Sequence, residues 1–169
     1  AMRAERRRVL EGTKHLGNLG LRPSPMHSPD YDCAAHAMFL LPSAKAAEDF
    51  VAVFPSVIVG KTGRHNYTEW DQVLMGEGAA HPAMNPYRMK ENEGCRRAYS
   101  RDMCARSLEI LDRTVMVPMH PNHGDAEIEA IIHNIDAAAR VALGDLAREE
   151  AQVRPVGRLD AQKFDMATE

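Results

Sequence analysis

No apolar run in the chain approaches the ~20 residues that a membrane span needs, and the first residues, AMRAERRRVLEG, have no signal-peptide apolar core. Cysteine is scarce as well. The three thiols, Cys33, Cys95 and Cys104, are an odd, scattered set without CxxC spacing. That argues against a disulfide framework or a zinc site, and suits buried or half-buried thiols in a reducing compartment. The expected location is cytoplasmic. A dominant charge of either sign is missing too. The net charge is −3 with both signs interspersed, so no basic face marks a nucleic-acid or anionic-membrane partner. A G-x-S-x-G motif and a placed Cys–His or Ser–His pair are also lacking, which leaves little for a hydrolase reading. There is no internal repeat and no low-complexity block.

What is there is organised around Arg113 to Leu143, RTVMVPMHPNHGDAEIEAIIHNIDAAARVAL. Val115, Met116 and Val117 read as a short strand that Pro118 ends, having no N–H to pair. MHPNHG supplies turn residues. Asp125 is placed to cap the following helix, with Glu127 and Glu129 at the positive end of its dipole. Ile128, Ile131, Ile132, Ile135, Ala138, Ala139 and Ala142 recur at three- and four-residue intervals, one stripe of a 3.6-residue period. A strand leading into such a helix is an α/β unit.

The remaining chain, 169 residues in all, has room for one domain with a real core. Arg3 to Leu16 predicts a helix with a thin apolar side at Val9, Leu10 and Leu16. GNLGLRPSPMHSPDYD predicts a loop, and Cys33 to Leu41 a strand ended by Pro42. Ser43 caps a helix from Ala44 to about Val53, whose inner stripe is Ala47, Phe50 and Val51. Val57 to Val59 is a second short strand. Gly60 to about Ser100 is irregular, with one helical turn near Trp70 to Met75. So long a loop in a compact domain is functional or lies against another chain. Ser100 or Asp102 starts a helix to Leu111, with Met103, Ser107, Leu108 and Leu111 on one side. Beyond Gly144 the helix is expected to continue to about Ala151, followed by a frayed or extended tail. The fold class expected is α/β (α+β): a small three- to four-stranded sheet covered by helices.

Four stretches in this order carry a resemblance: RRVLEGTKHLGNLGLRPSP, CAAHAMFLLPSAKAAEDFV, GRHNYTEW and CARSLEILDRTVMVPMHPNHGDAEIEAIIHNI. Together, over about Arg6 to Leu143, they resemble the C-terminal small domain of the DegT/DnrJ/EryC1/StrS family of sugar aminotransferases, which are fold-type I pyridoxal-phosphate enzymes. The resemblance implies a small domain over 1–145 and a helical extension and tail over 146–169. It also implies that the cofactor, pyridoxal 5'-phosphate, and its Schiff-base lysine belong to a separate large-domain aminotransferase subunit, since nothing in this chain resembles that part. A hetero-oligomer acting on a keto sugar or similar polyol with an amino-acid donor follows, with no catalytic residue in this chain. The alternative is a non-catalytic regulatory or interaction module derived from such a domain. Lys61, in VGKTG, sits where the family has a strand end, and GKTG has no upstream glycine for a phosphate-binding loop; it reads as a loop lysine.

The densest polar–aromatic group is Arg64, His65, Asn66, Tyr67 and Trp70. If it lines a cleft, Arg64 offers a planar fork to a carboxylate or phosphate. His65, Asn66 and Tyr67 then bond sugar hydroxyls and Trp70 forms an apolar wall. Otherwise the segment is a loop pinned by Trp70 packing. His81, Asn85, Tyr87 and Arg88 form a second group, stiffened by Pro82 and Pro86: a site, an ordered surface loop or a contact to a partner. His120 and His123 are too few ligands for zinc. The resemblance puts His120 beside the substrate; turn chemistry is the other reading. His36 reads as a satisfied core histidine and His133 as solvent-facing. Arg96, Arg97 and Arg101, beside Glu91 and Glu93, read as a solvated basic cluster, with an inter-subunit ion pair as the second reading.

Overall fold

A computed structural model describes residues 2–63, 66–144 and 151–156. The predicted helical continuation after Gly144 and the last residues of the tail lie outside them. Among the described residues there are five α-helices, α1 (Met2–Gly12), α2 (Ala44–Val53), α3 (Asp71–Leu74), α4 (Ala105–Asp112) and α5 (Asp125–Ala142), and four strands, β1 (Arg22–Pro23), β2 (His36–Leu40), β3 (Val57–Ile58) and β4 (Thr114–Pro118), in the order α1-β1-β2-α2-β3-α3-α4-β4-α5. The architecture is mixed α+β around a four-stranded sheet in the order β1-β2-β4-β3, and each neighbouring pair is antiparallel. Because β4 separates β2 from β3, those two run parallel to each other and α2 carries the chain between them, a split βαβ unit. The edge strand β1 falls in what reads as loop. Two residues against Leu40 and Phe39 are too short to carry a strand signal.

The register sorts side chains by face. Ala37 opposite Val117, and Phe39 opposite Val115 with Ile58 beyond, form the buried face. Onto it pack Val9 of α1, Ala47 and Phe50 of α2, and Ile128, Ile131 and Ile135 of α5. Burying each of the larger side chains contributes about 1.5–3 kcal/mol. The other face carries Met38, Met116 and Val57 in one row, all half-buried.

Local chemistry sets the boundaries. Pro42 follows β2, and the Ser43 side chain accepts the Ala46 N–H at 3.1 Å to start α2. At α5 the cap differs from expectation. The N-cap is Gly124, and Glu127 Oε2 accepts the Gly124 N–H at 3.0 Å, half of a capping box. Asp125 instead pairs with Arg8 of α1 at 2.5 Å, and Glu129 adds a second contact at 3.2 Å. These pairs are exposed and orient α1 on α5 more than they stabilise it. Gly60 is needed for close approach: a Cβ there would meet the Asp112 backbone nitrogen at 3.0 Å, so the exit of β3 can cross the end of α4 only without a side chain.

Asn134 interrupts the apolar stripe of α5 and is fully buried. It holds the extended segment 151–156: its Nδ2 donates to the Arg154 carbonyl at 2.8 Å and its Oδ1 accepts the Arg154 N–H at 2.7 Å. His133 is not free in solvent, since its Nε2 bonds the Gln152 carbonyl at 2.7 Å. α4 has no buried residue, and Met103 is exposed, so the predicted inner stripe there meets no core. All three cysteines are exposed, not buried or half-buried.

Candidate functional site

Between β3 and α4 the chain forms an arm of short turns: 3-10 turns at Val59–Lys61, Tyr67–Glu69, Pro82–Met84 and Lys90–Cys95, with the single turn of α3 among them. Its neck is built from the sequence-predicted group. Arg64 and His65 lie outside the described residues. Asn66 is buried; its side chain accepts the Thr68 N–H at 3.3 Å and donates to the Gly60 carbonyl at 3.4 Å. The Tyr67 hydroxyl donates to the Arg101 carbonyl at 2.7 Å and accepts the Cys104 N–H at 3.2 Å. Arg101 closes the neck from the other side through the Thr68 carbonyl and Asp71. Asn66 and Tyr67 thus hold the arm in place, and Trp70 stands beside them with about half its surface in solvent.

Farther out, Asn85 is buried and folds the arm on itself, donating to the Gly76 carbonyl and accepting the Tyr87 N–H, both at 2.9 Å. Tyr87 meets Tyr99 edge-on at 6.2 Å. His81 accepts the Ala83 N–H at 3.2 Å, which is turn chemistry, and Arg88 is exposed. Arg96 and Arg97 donate to backbone carbonyls of the arm. The arm leaves Met75, Met84 and Met103 outside, each about half exposed or more. Its described residues offer flexible apolar side chains to the surface.

His120 does not join this group. Asn66 is tied to Gly60 beside Asp112, before β4, whereas His120 follows the far end of β4, a strand length of roughly 17 Å away. His120 Nδ1 accepts the Asn122 N–H at 3.2 Å, as a turn histidine does. Its ring lies 5.8 Å from that of His123. His123 is buried, with Nε2 unpartnered; burial first, then the neighbouring His120, push its pKa below the usual histidine value. His36 is also held low by burial, yet it sits half-buried on the open sheet face instead of in the core.

Lys61 pairs with Glu48 at 2.8 Å on the surface; Lys14, just past the end of α1, pairs with Glu11 of that helix, and Lys45 pairs with Asp49 within α2. A Schiff-base site needs an amine in a water-poor pocket, and these do not provide one. Among the described residues no group of three or more His, Cys, Asp or Glu is placed to hold a metal, and no helix is long and apolar enough to cross a membrane. No protein-family model, curated protein or solved structure matches the chain.

Two residues matter more than the sequence suggests. Arg6 and Asn134 are buried polar groups on helix faces otherwise apolar. The available signal is spacing: Arg6 is three residues before Val9, and Asn134 three after Ile131.

Proposed function

We propose that this chain is the small-domain component of a pyridoxal-phosphate aminotransferase acting on a keto sugar or similar polyol, completed by a large-domain subunit that binds the cofactor. The observation that carries the reading is the arm. It departs from the sheet, is tied at its neck through Tyr67 and Arg101, and exposes Trp70, Met75, Met84 and Met103. A segment with that much apolar surface and no core of its own suits a surface that another chain covers. The order of the four sequence stretches supplies the family. The described lysines do not fit the cofactor, so no chemical step is assigned to this chain; its role is to cover a cleft and exclude water. Arg64, His65, Asn66, Tyr67, Trp70 and His120 remain the substrate-side proposal, with the first four consecutive in the chain and Trp70 three residues beyond them.

A second reading, a docking module without catalysis, draws on one fact. Asn66 and Tyr67 already use their polar atoms inside the chain, so they have little left for a sugar.

Affinity capture of this chain from its native host, with an absorbance scan and transamination assay of the complex, tests the choice. The proposal expects a yellow partner and a pair that transaminates while neither chain does alone. A stable colourless partner supports the docking module and removes the aminotransferase role.

A further inference from the structure

At the edge of the sheet where β1 stops pairing, α1, the loop 23–35 and the start of β2 enclose a cleft of about 160 Å³. Its walls are mostly apolar, from Leu10, Pro23, Pro25, Met26 and Met38, and its polar groups are Arg6, Ser24, Asp32, Cys33 and His36. Arg6 is the unusual one. Its side chain is 6% exposed and makes one hydrogen bond among the described residues, Nη1 to Asp32 Oδ1 at 2.5 Å. Nε is buried with no acceptor, and among the described residues Nη2, which is not among the buried unpartnered atoms, has no hydrogen bond of its own. A guanidinium has five N–H donors, and leaving them unmade away from water is costly.

The loop is built to hold Arg6 in this posture. Asp32 Oδ1 also accepts the Ala34 N–H at 2.7 Å, and the Asp32 carbonyl accepts from Arg3 Nε at 2.6 Å. The turn forces Ala34 to a φ of 58°, a left-handed conformation unfavourable for a residue with a Cβ. Arg3, Arg6 and Arg7 surround the two acids Asp30 and Asp32.

We propose that this cleft binds a small organic monocarboxylate, its carboxylate on the free guanidinium edge of Arg6 and its apolar body against Met26, Met38 and Pro25. One free planar edge matches a carboxylate. A phosphate dianion needs more donors than remain, and the apolar wall would desolvate its other oxygens at a cost. The site is independent of any partner subunit and of the aminotransferase reading.

Cys33 lines the same cleft and is exposed, whereas Cys95 and Cys104 are exposed elsewhere, which gives internal controls. The full chain is alkylated with iodoacetamide in rising benzoate, and each cysteine is followed by peptide mass spectrometry. Alkylation of Cys33 alone is expected to slow saturably, about tenfold at ten times Kd. Benzamide, equal in shape but neutral, is expected to leave the rate unchanged, and Arg6→Gln to abolish the protection. If Arg6→Gln loses its circular-dichroism signal, Met38→Trp, which fills the wall, must abolish protection in its place. Unchanged rates, equal slowing of all three cysteines, or equal protection by benzamide would overturn the proposal.

Discussion

The sheet with its three packed helices and the arm between β3 and α4 are stabilised in opposite ways. In the body, side-chain hydrogen bonds join residues far apart in sequence: Arg6 to Asp32 across 26 residues, Arg113 to Leu41 across 72, His15 to Asp136 across 121. They lie around a contiguous apolar cluster. In the arm, the bonds of His81, Asn85, Asn92 and Arg96 reach nine residues or fewer; the longer ones among the described residues include Lys61 to Glu48 and those gathered at the Tyr67–Arg101 neck. Long-range contacts around a core make one cooperative unit, whereas local contacts around little buried surface make a segment that opens on its own. The arm's shape is specified by its turns, with little buried surface to stabilise it.

Ways to break that contrast begin in the core. Ile131→Ala, at a fully buried position on α5, should lower global stability by about 2–5 kcal/mol in urea unfolding. No single truncation of an exposed arm methionine, such as Met84→Ala, should approach that. Asn134→Leu should cost about 1–3 kcal/mol, because it removes both bonds to the Arg154 backbone; amide exchange at 152–156 should rise with it. Tyr67→Phe removes the hydroxyl that links Arg101 and Cys104. It should weaken the neck by about 0.5–1.5 kcal/mol, seen as faster exchange within the arm at an unchanged urea midpoint.

The smallest effect expected is a pH dependence confined to the body. His36 and His123 both have folded pKa values below the ordinary 6.5, each mainly through burial. In the window between the folded and unfolded values the unfolded chain binds more protons. Stability is therefore full above about pH 6.5 and declines as pH falls toward the folded values. A melting temperature that drifts down by a few degrees between pH 7.5 and 5.5, and drifts less in His123→Asn, is the expected record.

How much of this could be read from the sequence follows the same division. The body announced itself through period: the α5 stripe, the Ser43 cap and the β2 and β4 runs all lie within a few residues of their predicted bounds. β1 was not legible, because two residues on a sheet edge have no period. The site group was legible as a dense polar–aromatic stretch, but not its use. Whether Asn66 and Tyr67 face a ligand or tie a neck depends on where Arg101 and Cys104 lie, more than 30 residues on, and local sequence does not encode that. His120 shows the same limit: a residue near the end of a strand can be placed by sequence, but which end of the sheet the arm occupies cannot.

Hydrogen–deuterium exchange of the chain, alone and with its captured partner, tests the central claim most directly. In the isolated chain, amides of 66–104 should exchange orders of magnitude faster than those of β2, β4 and α5. They should become protected when a cofactor-bearing partner is added. Protection of the arm equal to that of the sheet in the chain alone would contradict the account, since it would mean that the arm is stable by itself and has no surface waiting to be covered.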